Sequence, residues 1–303
     1  MLEMKRLRLL WEFRTRGTIA AVAEALSYTP SAVSQQLNLL ERETGFALLR
    51  KTGRNLELTA AGNRLADETE RLLAGLERAE AALRRTVPEI SGRLRIAVFQ
   101  TAVLAIIPAA LKRLRREHPG LRIEVVQFEP ETALRETWAR GFDLVVAEQY
   151  PEHAPRHFDG LDRIPLTTDS IHLALPLEGT ADPAFDRVTG IEEAASLPWV
   201  VEPRGAASRH WAEQRCRRAG FDPDIRFETA DMQAHVRLVE SGNAVALLPN
   251  LVHMGEPRVR LLELEGAPHR DLFTAARRSS EENPAIETVR TVLADVAVDL
   301  MHW

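Results

Sequence analysis

Cysteine is nearly absent from the chain, since Cys216 is the only one among 303 residues. A single cysteine cannot form an internal disulfide, a bond on which many proteins of oxidising compartments depend. Long apolar runs are missing too: stretches such as 144–147 and 245–248 are far shorter than the roughly 20 residues that cross a bilayer. The first six residues, Met-Leu-Glu-Met-Lys-Arg, lack the apolar segment of a signal peptide. We therefore expect a cytoplasmic protein without a membrane span.

Sequence patterns of catalysis and metal binding are equally scarce. The chain contains no Gly-x-Ser-x-Gly elbow, no P-loop and no Gly-x-Gly-x-x-Gly fingerprint. His153 and His157 are four residues apart, but Pro155 between them prevents a shared helix face, which argues against a metal site. Cys216 lies in an arginine-rich segment (215–218) that would lower a thiol pKa, yet no second cysteine is available to complete a redox switch. We predict no enzyme activity, catalytic residue, metal or cofactor.

The composition that remains is that of an ordinary globular protein with an uneven charge distribution. Hydrophobic residues make up 45% and charged residues 27%, and the length suits two domains with a connector. Residues 1–60 carry nine Lys/Arg and six Asp/Glu, so their net charge is +3 in a chain whose net charge is −5. A basic head on an acidic body favours a polyanionic partner for the head alone.

The hydrophobic pattern predicts helices first and an α/β body afterwards. Apolar residues recur at helical spacing in the first forty-five residues, and Gly17 and Gly45 punctuate them. From Arg93 onward, short apolar strands alternate with helical segments, which is typical of parallel sheets covered by helices. Two such α/β lobes, joined by two crossovers, would enclose a cleft.

Between head and body, residues 59–85 contain no proline and predict one long helix. Its apolar positions step by three and four, which is a heptad seam that requires a partner helix. An ordinary helix packed on its own domain is the alternative. The predicted dimerisation residues are Leu65, Leu72, Leu76, Ala79 and Leu83.

The segment from Gly17 to Gly62 resembles the LysR-type helix-turn-helix. The resemblance rests on Gly17–Leu26 as first helix, Pro30–Leu37 with Leu39-Leu40-Glu41 as recognition helix, and Leu58-Thr59-Ala60-Ala61-Gly62 after the wing. It continues more loosely through 92–96, 108–119, 143–144 and 242–249 and so spans nearly the whole chain. Two departures, Leu48-Leu49-Arg50-Lys51 where Leu-Phe-x-Arg is usual and Val22-Ala23 where Ala-Ala is usual, preserve residue character.

The recognition helix also has the chemistry of a base-reading surface. Val33, Leu37 and Leu40 form its apolar face, and the opposite face is rich in Ser, Gln and Asn, which can bond base edges. A merely polar surface helix is the alternative. The predicted DNA-binding residues are Thr18, Thr29, Ser31, Ser34, Gln35, Asn38, Arg42 and, on the wing against phosphates or in the minor groove, Arg50, Lys51 and Arg54.

The cleft between the lobes is the second predicted site, because ligands of open α/β sheets bind beyond the carboxyl ends of strands. The predicted effector-binding residues are Gln100, Thr101, Glu148, Gln149, Arg204, Ser208, Thr229 and Asp231. Arg204 could hold a carboxylate and Glu148 an amine, which would suit a zwitterionic effector. Each residue could instead be a helix cap, a surface charge or an interdomain contact.

The resemblance implies a transcription regulator with an all-α winged helix-turn-helix (1–58), a long linker or dimerisation helix (59–87), a hinge (88–92) and an effector-binding domain (93–303). The two Rossmann-like lobes, similar to those of periplasmic binding proteins, are expected at about 93–165 with 268–303, and at about 166–267. Its expected partners are duplex DNA with a two-fold related site, an unidentified small molecule, RNA polymerase, and itself as homodimer or homotetramer. A bilobal solute-binding protein or an α/β enzyme without DNA specificity are the rival interpretations.

Overall fold

The structure is a computed structural model that describes residues 2–153, 157–253, 255 and 257–300. Its backbone divides into two compact units. The first holds residues 1–88 together with the short segments 139–141 and 279–283, and the second holds most of the chain from residue 89 onward.

The first unit contains a helical head, a small hairpin and one long helix. Its elements are α1 (Met4–Arg16), α2 (Ile19–Leu26), α3 (Pro30–Thr44), β1 (Leu49–Thr52), β2 (Asn55–Leu58) and α4 (Ala60–Arg85). Apolar side chains from the three short helices form one core around Leu10, Val22 and Leu37, and the hairpin adds Leu49 and Leu56 to its edge. The winged helix-turn-helix predicted from the sequence is therefore present.

Local chemistry explains where these helices begin and end. The hydroxyl groups of Thr18 and Thr29 accept hydrogen bonds from the backbone N–H groups of Ala21 and Ala32, which caps α2 and α3. Proline occupies the first position of α3, where no N–H is needed. Gly45 ends α3 at φ 72°, a left-handed conformation that glycine adopts without strain.

The second unit begins with a parallel sheet that is buried on both faces. Its elements are β3 (Gly92–Val98), α5 (Gln100–Ala105), α6 (Ile107–Glu117), β4 (Leu121–Gln127), α7 (Pro130–Trp138) and β5 (Leu144–Gln149), completed by β11 (His269–Ala276) and α11 (Pro284–Leu300). Strand β3 pairs in parallel with β4 and β5, and β11 pairs antiparallel with β5. We call this part lobe I. Leu94, Ile96 and Val98 pack with α6 and α11, while Ala97 faces the α7 side.

A second α/β lobe, which we call lobe II, follows in the same unit. Its elements are β6 (Ile164–Leu175), α8 (Pro183–Asp186), β7 (Pro198–Val201), α9 (Ala207–Arg218), β8 (Asp224–Glu228), α10 (Met232–Glu240), β9 (Ala246–Pro249) and β10 (Arg260–Leu262). Strand β6 connects the lobes, because its first half pairs with β11 and its second half pairs with β9 and β10. This is the two-lobed α/β architecture expected from the sequence.

The structure differs from the sequence expectations in a few elements. The single helix expected around residues 104–114 is two helices that meet at Ile106, because Pro108 restricts the first turn of α6. The strand expected at 170–175 is longer and starts at Ile164. Two short elements, α8 and β10, were not predicted, since four and three residues are too few to show a period.

Candidate functional site

Helix α3 presents a continuous polar face. Ser31, Gln35, Asn38 and Arg42 are exposed and Ser34 is half-buried, while Val33, Leu37 and Leu40 on the opposite face are buried in the head. Positions three, four and seven apart share one side of a helix, so these polar groups form one stripe. Thr18 and Thr29 lie at the N-termini of α2 and α3, both exposed, with their hydroxyls engaged in capping.

The wing carries exposed cations. Its strands are joined by the two-residue turn Gly53-Arg54, with Gly53 at φ 61°. Arg50 Nη2 lies 3.2 Å from Glu57 Oε2 on the opposite strand, so its charge is partly offset. Within the described part of the chain, no carboxylate pairs with Lys51 or Arg54. The wing therefore offers two unpaired positive charges to an anionic partner.

Three polar contacts fix the wing to the helices. The Glu41 carboxylate, at the end of α3, accepts from the backbone N–H groups of Leu48 and Leu49 at 2.7 and 3.0 Å. Thr59 donates its hydroxyl to the Ala47 carbonyl at 2.7 Å and caps α4 through Gly62 N. A side chain at Gly62 would lie 2.1 Å from the Leu48 carbonyl oxygen, so only glycine allows this approach. The Leu-Glu and Leu-Thr-Ala-Ala-Gly motifs thus hold the wing.

Helix α4 leaves part of its predicted heptad seam exposed. Leu72, Leu76 and Leu83 are 50%, 50% and 70% exposed, and Ala79 is exposed with them. Leu65 differs, because it packs against the core of its own head domain. Large exposed leucines at helical spacing are uncommon on a monomer and are typical of an interface.

A cavity of about 350 Å³ lies between the lobes of the second unit. This volume falls at the lower end of the roughly 300–1,000 Å³ of small-molecule sites. Four carboxylates line it, and they come from Glu129, Glu131, Glu148 and Glu202. Three of these carboxylates follow or end parallel strands, namely β4, β5 and β7, as the rule for α/β ligand sites requires. The cations that line the cavity are Arg204, which is exposed, and His153 when protonated.

Burial perturbs the acidic groups of the cavity. Desolvation raises the pKa of Glu148 to about 7, with Glu202 and Glu129 adding to the shift and Arg270 opposing it. Desolvation also raises the pKa of Glu202 to about 7, although the hydrogen bond that Ser208 donates to it acts in the opposite direction. The pKa of Glu129 is raised by desolvation too, even though the residue as a whole is exposed.

A buried guanidinium lies beneath the cavity. Arg270 on β11 donates to Asp169 Oδ2 on β6 from both Nε and Nη2, at 2.9 and 2.7 Å, and also donates to Glu148 on β5. Its Nη2 lies 2.6 Å from the Thr101 hydroxyl of α5. Burial opposes the charge of Arg270, but Glu148 and Asp169 outweigh it and raise the pKa above its usual value. One guanidinium thus ties four elements together and is shared by two carboxylates.

The predicted effector residues are divided among different roles. Glu148, Arg204 and Ser208 line the cavity. Thr101 is buried against Arg270, and Gln149 has its side chain on the opposite face of β5 from Glu148. The remaining three, Gln100, Thr229 and Asp231, lie around the N-terminus of α10. The Gln100 carboxamide donates to Asp231 Oδ1 and accepts from Met232 N, both at 2.8 Å, and the hydroxyl of Thr229 accepts from Asp231 N at 3.2 Å.

Sequence reasoning missed Glu129, Glu202, Asp169 and Arg270. The rule that selected Glu148, a polar residue at the carboxyl end of a parallel strand, also selects Glu129 and Glu202 and could have found them. Asp169 and Arg270 sit within strands, and only the pairing of β6 with β11 brings them together. No sequence signal reports that pairing.

The thiol of Cys216 does not have the lowered pKa that its arginine neighbours suggested. Cys216 is fully buried, and desolvation raises its pKa to about 12. The arginines contact other groups: Arg217 Nε donates to Asp222 at 2.8 Å, and Arg215 donates to the Glu265 carbonyl. Along a helix, adjacent residues point in different directions, so sequence proximity did not give contact.

His153 and His157 do not form a pair. His153 Nε2 lies 4.0 Å from Glu131 and its ring centroid 5.9 Å from that of His210, whereas His157 Nε2 lies 3.4 Å from Asp159. Across the described ranges, no three His, Cys, Asp or Glu side chains are placed to hold a metal ion. In the same ranges no helix combines the length and apolarity needed to cross a membrane.

Known proteins resemble the chain over almost its full length. The HTH-type transcriptional regulator IlvY of Escherichia coli (strain K12) is 27% identical over 281 residues, which are 89% of this chain and 92% of IlvY. A full-length OxyR variant from Pseudomonas aeruginosa superposes with a TM-score of 0.66 at 16% identity, covering 98% of this chain and 95% of OxyR. Full-length CbnR in complex with its target DNA superposes with a TM-score of 0.53 at 18% identity, covering 98% of this chain and 100% of CbnR.

Two family models match the chain in tandem. Residues 4–63 match the bacterial regulatory helix-turn-helix protein, lysR family, and residues 88–298 match the LysR substrate binding domain. The two matches contain the polar face of α3 and the carboxylate-lined cavity respectively. The chain belongs to the LysR family and is a LysR-type DNA-binding transcriptional regulator with an effector-binding domain.

Proposed function

We propose that this regulator reads duplex DNA with the polar face of α3 and holds the duplex with its wing. Ser31, Ser34, Gln35 and Asn38 would contact base edges in the major groove, with Arg42 at the far end of the stripe. Thr18 and Thr29 lie at helix N-termini, where backbone N–H groups attract phosphate. Arg50, Lys51 and Arg54 would contact phosphates or enter the minor groove.

The observation that carries this proposal is the composition of the exposed α3 stripe. Short hydroxyl and amide side chains predominate there, although a plain solvated helix face usually carries Lys and Glu. Gln and Asn each combine a donor and an acceptor and can bond adenine in two places. CbnR, which shares the fold, has been solved with its target DNA.

The cavity between the lobes is the proposed effector site. An effector that prefers one arrangement of the lobes would shift the population of DNA-binding states by its difference in affinity for them. Gln100 of lobe I forms hydrogen bonds with Asp231 and Met232 of lobe II, and these bonds connect the two lobes in the present arrangement.

Self-association through α4 supports a two-fold related DNA site. Leu72, Leu76, Ala79 and Leu83 present an exposed apolar stripe that a second copy of α4 would cover. A homodimer, or a homotetramer built from two such dimers, would then present two α3 helices to two half-sites. RNA polymerase is the further proposed partner, in the cytoplasm, and no enzymatic activity is proposed.

The experiment that tests the proposal is selection of duplexes from a genomic fragment library by the purified full-length protein, followed by footprinting. We expect a discrete protected site with dyad symmetry. Recovery of sequence-indifferent DNA, whose binding disappears as salt rises, would contradict base reading by α3. Leu76→Asp should weaken self-association. It should therefore lower the affinity for the two-fold site, while binding to a single half-site persists.

A further inference from the structure

The charges around the cavity are unbalanced within the described part of the chain. Glu148 shares the Arg270 guanidinium with Asp169, so one positive charge compensates two negative charges. Glu202 receives a hydrogen bond from Ser208, and no described Lys, Arg or His pairs with its carboxylate. Glu129 likewise has no ion-pair partner among the described residues. Three carboxylates therefore line one cavity with less than one compensating charge each.

Carboxylates that are partly removed from water, as Glu148 and Glu202 are, are costly unless they gain a partner. Glu202 occupies the first position after β7, and Glu129 lies directly before α7, so neither is needed to pair strands. The Glu202–Ser208 hydrogen bond holds the carboxylate in place at the start of α9 without neutralising it. The arrangement is that of a preorganised anionic site.

The N-termini of α7 and α9 also reach the cavity and would favour an anion. Their effect is the smaller one, since a helix N-terminus acts as about half of a positive charge and its influence fades within one turn. Each ionised carboxylate carries a full negative charge, and its interaction with a ligand is stronger away from bulk water. The four lining carboxylates therefore outweigh Arg204 and the two helix termini taken together, and the charge balance of the cavity favours a cation.

We propose that the effector is a small organic cation, a protonated amine, amidine or guanidine, bound between Glu202, Glu148 and Glu129 in the interlobe cavity. This inference rests on the proposed effector function of that cavity. The exposed Arg204 at the cavity lining leaves room for an additional carboxylate on the ligand, but the positive charge is the required feature.

The same carboxylates make binding depend on pH. The groups that face them are Glu131, His153 and Arg204 around the cavity, and Asp169, Tyr150 and Arg270 beneath it. Glu148 and Glu202 have pKa values of about 7, so each is partly protonated at neutral pH. A cation stabilises the ionised forms and releases these protons. At pH 7, binding should release up to about one proton in total from the two carboxylates together. For each carboxylate involved, the affinity should rise about tenfold from pH 6 to pH 8.

The test is isothermal titration calorimetry of the full-length protein with putrescine, agmatine, methylguanidine and arginine as cationic probes, and with acetate, benzoate and inorganic phosphate as anionic probes. Titration in buffers of different ionisation enthalpy measures the protons released. We expect saturable binding of a cationic probe with proton release. Glu202→Gln should weaken it at least thirtyfold, about what loss of a buried charged partner produces. Glu178→Gln, an exposed carboxylate outside the cavity lining, should change it less than about twofold.

Binding of an anionic probe with proton uptake would overturn the inference while leaving the cavity as an effector site. The absence of Glu202-dependent binding by every cationic probe at pH 8 would overturn it as well. Footprinting the same samples separates the two proposals: a cation that binds through Glu202 without changing DNA occupancy would contradict the effector role and leave the ligand class standing.

Discussion

Arg270→Met replaces the buried guanidinium beneath the cavity with a shorter, apolar side chain. Asp169 and Glu148 would keep their carboxylates, with side chains only 2% and 12% exposed, but would lose their shared cation. Removal of one partner from a buried ion pair costs about 3–5 kcal/mol, because an uncompensated charge is left behind. We expect the free energy of unfolding of the effector-binding domain to fall by about that amount at pH 8.

The pH dependence of this loss identifies its cause. Without Arg270, which lowers the pKa of Glu148 from beneath, burial and the neighbouring carboxylates would raise that pKa further above 7. A carboxyl group whose folded pKa is raised destabilises the fold above its unfolded pKa, and the penalty grows as pH rises toward the folded pKa. The difference in the free energy of unfolding between Arg270→Met and the wild type should therefore be smallest near pH 5 and largest near pH 8.

The assay is urea unfolding of the full-length protein, followed by circular dichroism at pH 5, 6, 7 and 8. Arg237→Met, at an exposed arginine of α10, is the control and should change stability by less than about 0.5 kcal/mol. A loss under about 1 kcal/mol for Arg270→Met, or a loss that is the same at every pH, would refute the argument that a charge imbalance governs this site.

Two further predictions concern packing. Gly62→Ala should destabilise the head by about 1–3 kcal/mol, because the new Cβ would lie 2.1 Å from the Leu48 carbonyl oxygen. Gly75→Ala in the same helix should stabilise the protein by about 0.5–1 kcal/mol, because the atom nearest to the new Cβ would be 3.8 Å away. Urea midpoints that move in the same direction for both variants would contradict this contrast. Cys216 should react with dithionitrobenzoate at pH 8 about a thousandfold more slowly in the native than in the unfolded chain, since its pKa is about 12; equal rates would contradict its burial.

Local signals were sufficient to predict the head. Thr18, Thr29, Pro30 and Gly45 act within a few residues of their own helix, and the structure shows each of them capping, starting or ending a helix. The heptad spacing likewise predicted α4 as one helix. What the spacing did not reveal is that Leu65 packs into its own head while Leu72 stays exposed, because the position of α1 decides which end of the seam is covered.

The cavity was only partly predictable. Glu148 was found because the position after a buried strand is a local property of the sequence. The hub around Arg270 was not, since Thr101, Glu148 and Asp169 are between 101 and 169 residues away along the chain. Strand β6, which connects both lobes, brings these residues together, and its long pairing is set by the whole sheet rather than by its own residues.

The measurement that tests the central claim most directly is the affinity of Gln35→Ala and Arg54→Ala for the selected site, for single-base variants of it and for unrelated duplex, each over a range of salt concentrations. Gln35→Ala should lose about 1–3 kcal/mol of discrimination at one base pair in each half-site and keep the wild-type salt dependence. Arg54→Ala should weaken all duplexes alike and reduce the salt slope by about 1. If Gln35→Ala discriminates between bases as well as the wild type does, then the polar face of α3 does not read the DNA.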